Sequence, residues 1–331
     1  MAKGFYVGIN NVARKIKDGY VGVDGVSRKV KEAFIGIGGV ARPCWYEGTL
    51  AYYGTITSLG TGRAGAAATS TKNYALFGGG QLFGGERSSV VDAYDKSLTH
   101  KTATSLSSVK IWHDAASVGD YALFGGGYNS GGSSIYLDTV DVYNDSLTRS
   151  TGTALSAGRY YISAGSVGNY ALFAGGYPQK NTVDAYDASL TRTTPTALYW
   201  ARHSMGAASA GDYALFAGGD NGGSIFATVD AYDKSLTRSL PTELSGARAS
   251  LGGASLGGYA LFGGGKNNDT YNNIFATVDV YDKSLTRSLG EELNVARIML
   301  TATNIGDYVL FAGGYDGNAT YFNTVDAYVV A

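Results

Sequence analysis

Apolar and small residues form short runs along most of this chain, and glycines separate the runs. One run reads Tyr-Ala-Leu-Phe, with Val once in place of Ala, and a double glycine follows it. Short apolar runs bounded by glycine predict β-strands. Six copies recur at intervals of 43 to 49 residues, beginning at Tyr74, Tyr121, Tyr170, Tyr213, Tyr259 and Tyr308. The chain is therefore built from repeats.

Each repeat contains a second strand of the form Val-Asp-(Ala/Val)-Tyr, mostly followed by Asp-Lys-Ser-Leu-Thr-Arg. Its aspartates are Asp92, Asp141, Asp184, Asp230, Asp279 and Asp326. The Leu-Thr-Arg segment supplies a third strand, and the small residues before each tyrosine supply a fourth. Four strands in about 40 to 50 residues make one propeller blade. The six units therefore predict an all-β, six-bladed β-propeller.

The last repeat is incomplete, so the ring needs a strand from elsewhere. The chain stops at Ala331 without a further Ser-Leu-Thr-Arg segment, while residues 50–59 precede the first repeat. Because an open sheet edge invites aggregation, we predict that strand 50–59 closes blade six. The propeller would then span residues 47–331.

The repeats resemble the kelch family. A double glycine ends one strand, Tyr-Asp ends the next, as at Tyr94-Asp95, and a basic residue opens the innermost strand. The resemblance covers residues 49–331 and implies a kelch-like propeller. It departs at the outer strand, where this chain has Leu or Thr and kelch blades usually carry a tryptophan.

Residues 5–45 hold three copies of a 14-residue unit with two-residue turns at Asn10-Asn11, Asp24-Gly25 and Gly38-Gly39. Such turns between β-branched residues predict small β-hairpins. Hairpins of this size are marginal in water, so residues 1–46 are a candidate attachment segment that completes its core on another chain or on the propeller flank. A solvated, unpartnered strand pair is the alternative.

The N-terminal segment is also basic. Residues 1–43 contain eight basic and three acidic residues, a net charge of +5, in a chain of net charge −1. The candidate attachment residues are Arg14, Lys15, Lys17, Arg28, Lys29 and Lys31. Because these charges alternate with β-branched residues instead of forming a flexible run, we expect no nucleic-acid partner.

The pattern Gly-Val-Asp-Gly-Val-Ser-Arg-Lys-Val-Lys, which begins at Gly22, is similar to N-terminal repeats of structural proteins in phages and prophages of Firmicutes. The similarity covers about 40 residues. It implies docking onto other virion proteins through residues 1–46, as part of a larger assembly. It also implies a location in the phage particle, after assembly in a bacterial cytoplasm.

A basic residue lies eleven positions before each repeat tyrosine. These residues are Arg63, Lys110, Arg159, Arg202, Arg248 and Arg297. Since they open the innermost strands, they could ring the channel mouth and bind an acidic ligand or sugar acid. Alternatively, each could form an ion pair with the Val-Asp aspartate of a neighbouring strand and so have a structural role within the blade.

The loops after the double glycines differ most among the repeats and are rich in Tyr, Asn, Gly and Ser. Tyrosine offers a large rigid contact area and asparagine offers adaptable hydrogen bonds, a combination suited to glycans or protein surfaces. The candidate ligand-binding residues here are Tyr128, Tyr177 and Tyr315.

Little in the chain points to a metal, a cofactor or catalysis. Cys44 is the only cysteine, which rules out an intrachain disulfide and any multi-cysteine metal site. His100, His113 and His203 occur at no metal-ligand spacing. The chain start lacks the apolar core of a signal peptide, and no stretch approaches the roughly 18 apolar residues of a membrane helix.

These observations favour a non-catalytic phage or prophage virion protein. It would dock through its N-terminal hairpins and display a propeller that binds a host-surface receptor or glycan, or that decorates the tail or capsid. A cytoplasmic kelch module for protein–protein interaction is the first alternative. A glycan-active propeller enzyme is the second, because distant Asp and Glu residues can meet at a propeller mouth.

Overall fold

The protein is an all-β chain, seen here in a computed structural model. The structure describes six strands between residues 5 and 46, and residues 59–329 with gaps at 62, 83, 96, 98, 130, 132–134, 268–272, 306–307, 318–321 and 323–324. The chain divides into two compact units, residues 1–52 with 329–331 and residues 53–328. No helix that could span a membrane occurs in the described part of the chain.

The first unit contains the three predicted antiparallel hairpins. Their strands are β1 (Phe5–Ile9) with β2 (Val12–Ile16), β3 (Gly19–Val23) with β4 (Val26–Val30), and β5 (Glu32–Ile37) with β6 (Val40–Tyr46). The closing pairs Ile9–Val12, Val23–Val26 and Ile37–Val40 leave two residues between the strands. Of the candidate attachment residues, four lie on β2 and β4, whereas Lys17 and Lys31 lie outside the described residues.

The second unit is the predicted six-bladed propeller. Blades one to five each consist of four antiparallel strands, ordered from the channel outwards. Blade one has β8 (Ala67–Ser70), β9 (Tyr74–Gly78), β11 (Val91–Asp95) and β12 (His100–Ala103), with a short ribbon of β7 (Arg63–Ala64) and β10 (Gln81–Leu82). Blade two has β13 (Asp114–Val118), β14 (Tyr121–Gly125), β15 (Val140–Tyr143) and β16 (Arg149–Thr151).

The remaining blades repeat this order. Blade three has β17 (Ser163–Val167), β18 (Tyr170–Ala174), β19 (Val183–Asp187) and β20 (Arg192–Thr193). Blade four has β21 (Gly206–Ala210), β22 (Tyr213–Ala217), β23 (Val229–Asp233) and β24 (Arg238–Ser239). Blade five has β25 (Gly252–Leu256), β26 (Tyr259–Gly263), β27 (Val278–Tyr281) and β28 (Arg287–Leu289).

The described strands of blade six are β29 (Thr301–Ile305), β30 (Tyr308–Ala312) and β31 (Val325–Val329). The fourth strand was predicted at residues 50–59, and of these only Leu59 lies within the described residues. The closure of blade six and the domain boundary at residues 46 and 47 therefore stay predictions.

The repeated aromatic residues join neighbouring blades. Phe173 and Tyr186 of blade three are fully buried among apolar residues of blade two, with their rings edge to face. The Tyr186 hydroxyl donates a hydrogen bond to the Thr153 carbonyl oxygen at 2.8 Å, which satisfies the phenol within the apolar contact. A Cβ at Gly125 would lie 2.8 Å from the Phe173 ring, so a small residue is needed there. The Tyr-Ala-Leu-Phe and Val-Asp-Ala-Tyr motifs thus encode the contact between blades.

The Asp-x-Ser-Leu-Thr motif forms the turn between the third and fourth strands. The Asp187 carboxylate accepts hydrogen bonds from the Ser189 and Thr191 backbone N–H groups, both at 2.9 Å, and from the Ser189 hydroxyl at 2.7 Å. Leu190 takes a left-handed conformation with φ of 63°. The equivalent leucines of blades two, four and five also have a left-handed conformation, so the motif has a structural role in the turn.

Uncharged and mostly small residues line the central channel, nearly all of them on the innermost strands, and the channel has a volume of about 300 Å³. Hydroxyl groups link the inner strands: Ser166 Oγ donates to the Ser117 carbonyl at 2.7 Å, and Ser209 Oγ donates to the Ser166 carbonyl at 2.6 Å. The lining within the described residues has no charged side chain. The polar side chains of this lining are those of serine, threonine and asparagine.

Candidate binding surface at the mouth of the channel

The six repeated basic residues are buried in ion pairs. Each basic side chain is at most 1% exposed. The pairs, with their N–O distances, are Arg63–Asp92 (2.6 Å), Lys110–Asp141 (2.8 Å), Arg159–Asp184 (2.7 Å), Arg202–Asp230 (2.8 Å), Arg248–Asp279 (2.5 Å) and Arg297–Asp326 (2.5 Å). The structure therefore favours the pairing interpretation. A ring of cations open to an acidic ligand does not fit this burial.

Further hydrogen bonds hold each pair in place. Asp184 also accepts hydrogen bonds from Arg192 at 2.9 Å and from the Ser156 backbone N–H at 3.2 Å, and Arg159 also donates to the Phe173 carbonyl at 3.1 Å. In blade two, burial raises the pKa of Asp141, but the charge and hydrogen bond of Lys110 outweigh this, and the pKa falls below its usual value. The carboxylate thus stays ionised at neutral pH and ties together the strands of its own blade.

Three positions of each blade build the mouth of the channel on the side of the glycine loops. The first position directly follows the buried basic residue, and the third directly follows the double glycine. These two positions form a backbone bridge, as in Tyr160–Tyr177. The second position directly follows the first. The residue at the second position has a left-handed backbone conformation, and its N–H donates a hydrogen bond to the carbonyl oxygen of the equivalent residue in the preceding blade. Such bonds link Tyr161 to Trp112 (2.8 Å), Ser204 to Tyr161 (3.2 Å), Ser250 to Ser204 (2.9 Å) and Met299 to Ser250 (3.0 Å).

These three positions differ from blade to blade, in contrast to the repeated strands. From blade one to blade six, the first, second and third positions are occupied by Ala64, Gly65 and Gln81; Ile111, Trp112 and Tyr128; Tyr160, Tyr161 and Tyr177; His203, Ser204 and Asp220; Ala249, Ser250 and Lys266; and Ile298, Met299 and Tyr315. Aromatic residues concentrate in blades two and three. The mouth is therefore asymmetric.

The aromatic patch consists of seven rings in mutual contact: Trp112, Tyr128, Tyr136, Tyr160, Tyr161, Tyr177 and His203. Trp112 is 36% exposed and its ring centroid lies 4.7 to 5.6 Å from those of Tyr128, Tyr160 and Tyr161. The other rings are half-buried. Contact among the rings fixes a broad, apolar and partly exposed surface.

Phenol groups and a cation add polar character to the aromatic patch. The pKa of Tyr160 is raised, first by burial and then by the neighbouring phenols of Tyr136, Tyr177 and Tyr128. The Arg87 guanidinium lies 5.0 Å above the Tyr128 ring, within cation–π range. The patch thus offers both ring faces and clustered hydroxyl groups to a ligand.

Comparisons with known proteins identify the fold but no family. No family model and no curated protein matches the sequence. Among solved structures, the chain is similar to that of YjhT, with a TM-score of 0.67, 11% sequence identity, and coverage of 83% of this chain and 97% of that chain. The chain shares the propeller fold. At this level of identity the likeness concerns the fold alone.

The propeller brings two of the three predicted tyrosines together. Tyr128 and Tyr177 belong to the aromatic patch, whereas Tyr315 lies on blade six, bridged to Ile298. Trp112, Tyr160 and Tyr161 were missed, although their positions one or two residues after Lys110 and Arg159 were a usable signal.

The three histidines occupy separate environments on the propeller. His100 contacts Asp92 at 2.6 Å, and His203 belongs to the aromatic patch. Burial lowers the pKa of His113 to about 3, so this residue is neutral at physiological pH. Among the residues that the structure describes, no group of His, Cys, Asp or Glu could hold a metal ion.

Proposed function

We propose that the propeller is a kelch-like binding module whose aromatic patch recognises a glycan on a host surface, and that a phage or prophage particle displays it. The aromatic patch carries this proposal. Partly exposed clusters of aromatic rings mark recognition surfaces, because they bury a large area at little cost in conformational entropy. The patch spans blades two and three and includes His203 of blade four, in a ring whose frame is otherwise repeated.

A carbohydrate fits the chemistry of this patch. A sugar ring has an apolar face of C–H groups, which packs on aromatic faces, and a rim of hydroxyl groups. The phenols around Tyr160 can donate and accept hydrogen bonds with such a rim. The Trp112 and Tyr160 rings stack at 29° with 5.6 Å between centroids, which fixes the orientation of both rings.

The N-terminal hairpins support display from a larger assembly. Three two-stranded sheets, each of small size, are marginal in water when isolated. Their basic strands would contact acidic surfaces of other virion proteins, as the resemblance to phage structural repeats implies. Residues 1–46 are thus the proposed docking element, and the virion is the proposed location.

A glycan array probed with the purified full-length chain tests the binding proposal. We expect binding to a restricted set of glycans that includes saccharides of bacterial cell surfaces. Binding to no glycan, together with capture of a host-surface protein, would replace the glycan by a protein receptor.

Removal of residues 1–46 tests the display proposal. We expect the full-length chain to assemble or to bind purified particles, and the truncated chain to be a single propeller with the same melting temperature. The mass in solution and electron microscopy would distinguish the two. A control with Arg14, Lys15, Arg28 and Lys29 changed to Glu is expected to keep the hairpins and reverses the charge of β2 and β4. Identical monomers for both chains would favour a free interaction module.

A further inference from the structure

A serine, a histidine and an aspartate lie in contact as a series at the edge of the aromatic patch, with a hydrogen bond between the serine and the histidine and an ion-pair contact between the histidine and the aspartate. The Ser204 hydroxyl lies 3.0 Å from His203 Nδ1, and His203 Nε2 lies 3.1 Å from an Asp220 carboxylate oxygen. All three belong to the mouth positions of blade four. This is the order of a nucleophile, a base and a group that orients the base.

The backbone holds the three side chains in this arrangement. His203 and Asp220 exchange backbone hydrogen bonds of 2.9 and 3.0 Å, which sets their side chains next to each other. The same carboxylate oxygen of Asp220 accepts the Gly222 N–H at 3.1 Å. Ser204 is left-handed, with φ of 55°, and its N–H donates to the Tyr161 carbonyl. The site is therefore organised before any ligand binds.

The protonation state suits general-base catalysis. Burial lowers the pKa of His203, the charge of Asp220 partly opposes this, and the charge of Lys266 lowers the pKa further. His203 is thus neutral at pH 7. Since a carboxylate contacts Nε2, the proton is favoured on that nitrogen, which leaves the Nδ1 lone pair directed at the Ser204 hydroxyl.

Blade five shows that the propeller frame does not require this series. There the equivalent residues are Ala249, Ser250 and Lys266. Ser250 has the same left-handed conformation, with φ of 58°, and an equivalent backbone hydrogen bond, to Ser204. Blades four and five thus share the same local backbone, and only blade four carries the histidine and the carboxylate. Ser250 can therefore serve as a control for Ser204, because it lacks both partners.

We propose that Ser204 is a nucleophile activated by His203 and oriented through Asp220, and that it hydrolyses a carboxylic ester carried by the bound glycan. Acyl transfer is the chemistry of such a series, and the glycan part rests on the proposed function. The His203 ring stacks on Tyr161 with 5.8 Å between centroids and contacts Tyr177 at 5.9 Å. An acyl group on a sugar held by the patch would therefore lie beside the nucleophile.

The reaction balances with water as the only co-reactant. Ser204 Oγ attacks the ester carbonyl carbon and its proton passes to His203 Nδ1. The bond from the carbonyl carbon to the alcohol oxygen breaks, the proton passes from Nδ1 to that oxygen, and the alcohol leaves. Water then attacks the acyl-serine and gives a proton to Nδ1, which returns it to Ser204 Oγ as the carboxylic acid departs.

A fluorophosphonate probe and p-nitrophenyl acetate test the proposal on the full-length chain. We expect a phosphonate adduct on Ser204 in peptide mass spectra, and no adduct at that peptide in Ser204→Ala. Asp220→Asn and His203→Gln should slow ester hydrolysis by about 100-fold or more. Ser250→Ala should hydrolyse the ester at the wild-type rate and should have the same melting temperature as Ser204→Ala.

The outcomes separate this inference from glycan recognition. Absence of an adduct on Ser204, under conditions that label a known serine esterase, would overturn the nucleophile proposal even where the glycan array is positive. Labelling that persists unchanged in His203→Gln would also overturn it. An adduct on Ser204 with a negative glycan array would refute only the glycan assignment.

Discussion

The Asp230→Ala variant should lose about 3 to 5 kcal/mol of unfolding free energy, because the substitution leaves a buried arginine without its carboxylate. The Arg202 side chain is fully buried and lies 2.8 Å from Asp230. The Tyr199 backbone N–H, which donates to Asp230 at 2.9 Å, would lose its partner as well. Urea denaturation followed by tyrosine and tryptophan fluorescence measures the loss.

An exposed ion pair on the same blade is the matched control. Asp212 contacts Lys234 at 2.6 Å, but the two side chains are 68% and 57% exposed. Asp212→Ala should therefore cost at most about 1 kcal/mol. Replacing both members of the buried pair, as in Arg202→Met with Asp230→Leu, should recover much of the loss, since no unpaired charge remains. Equal costs for Asp230→Ala and Asp212→Ala would contradict the structural role of the buried pairs.

The Trp112→Ala variant should bind its glycan about 100-fold more weakly. Trp112 contacts three tyrosine rings and is the most exposed ring of the aromatic patch, which makes it the candidate binding hot spot. A hot-spot loss of about 2 to 3 kcal/mol corresponds to that change in affinity. Titration calorimetry with the glycan that scores highest on the array measures it.

Trp200→Ala is the matched control for Trp112→Ala. Trp200 is 47% exposed and stacks on Phe226 outside the aromatic patch. Its removal should leave the affinity unchanged. An equal loss in both variants would point to a general effect on the propeller, and no loss in either would place the ligand elsewhere.

The repeat pattern was sufficient to predict the fold. Motifs such as Tyr170-Ala-Leu-Phe and Val183-Asp-Ala-Tyr recur because each blade packs against the next through the same residues, so a periodic chain predicts a periodic structure. The pairing of the hairpin strands was also predictable, since a two-residue link of asparagine, aspartate or glycine between β-branched residues favours a hairpin.

The candidate site was only partly predictable. Tyr128 and Tyr177 stand in variable loops and were found there. Trp112 and Tyr161 were missed because their sequence neighbours belong to the regular repeat, and only the left-handed backbone after the buried basic residue turns them towards the mouth. The sequence could not determine whether the six basic side chains are open to a ligand or buried in ion pairs, because residue type and spacing do not determine burial.

The Ser204–His203–Asp220 series also could not be predicted from the sequence. Ser204 and His203 are adjacent in sequence, but Asp220 reaches them through the backbone bridge that follows the double glycine. A spacing of 17 residues between the histidine and the aspartate matches no common motif. The series therefore became visible only with the geometry of the mouth.

A glycan that binds on the aromatic patch should change the fluorescence of Trp112, which belongs to the patch. The chain has three tryptophans, so the variant Trp45→Phe with Trp200→Phe keeps Trp112 as its sole tryptophan. Titration of this full-length variant with the glycan should shift and change the Trp112 emission along the same curve as the calorimetric binding. Calorimetric binding of the glycan with unchanged Trp112 emission would contradict glycan binding on the aromatic patch.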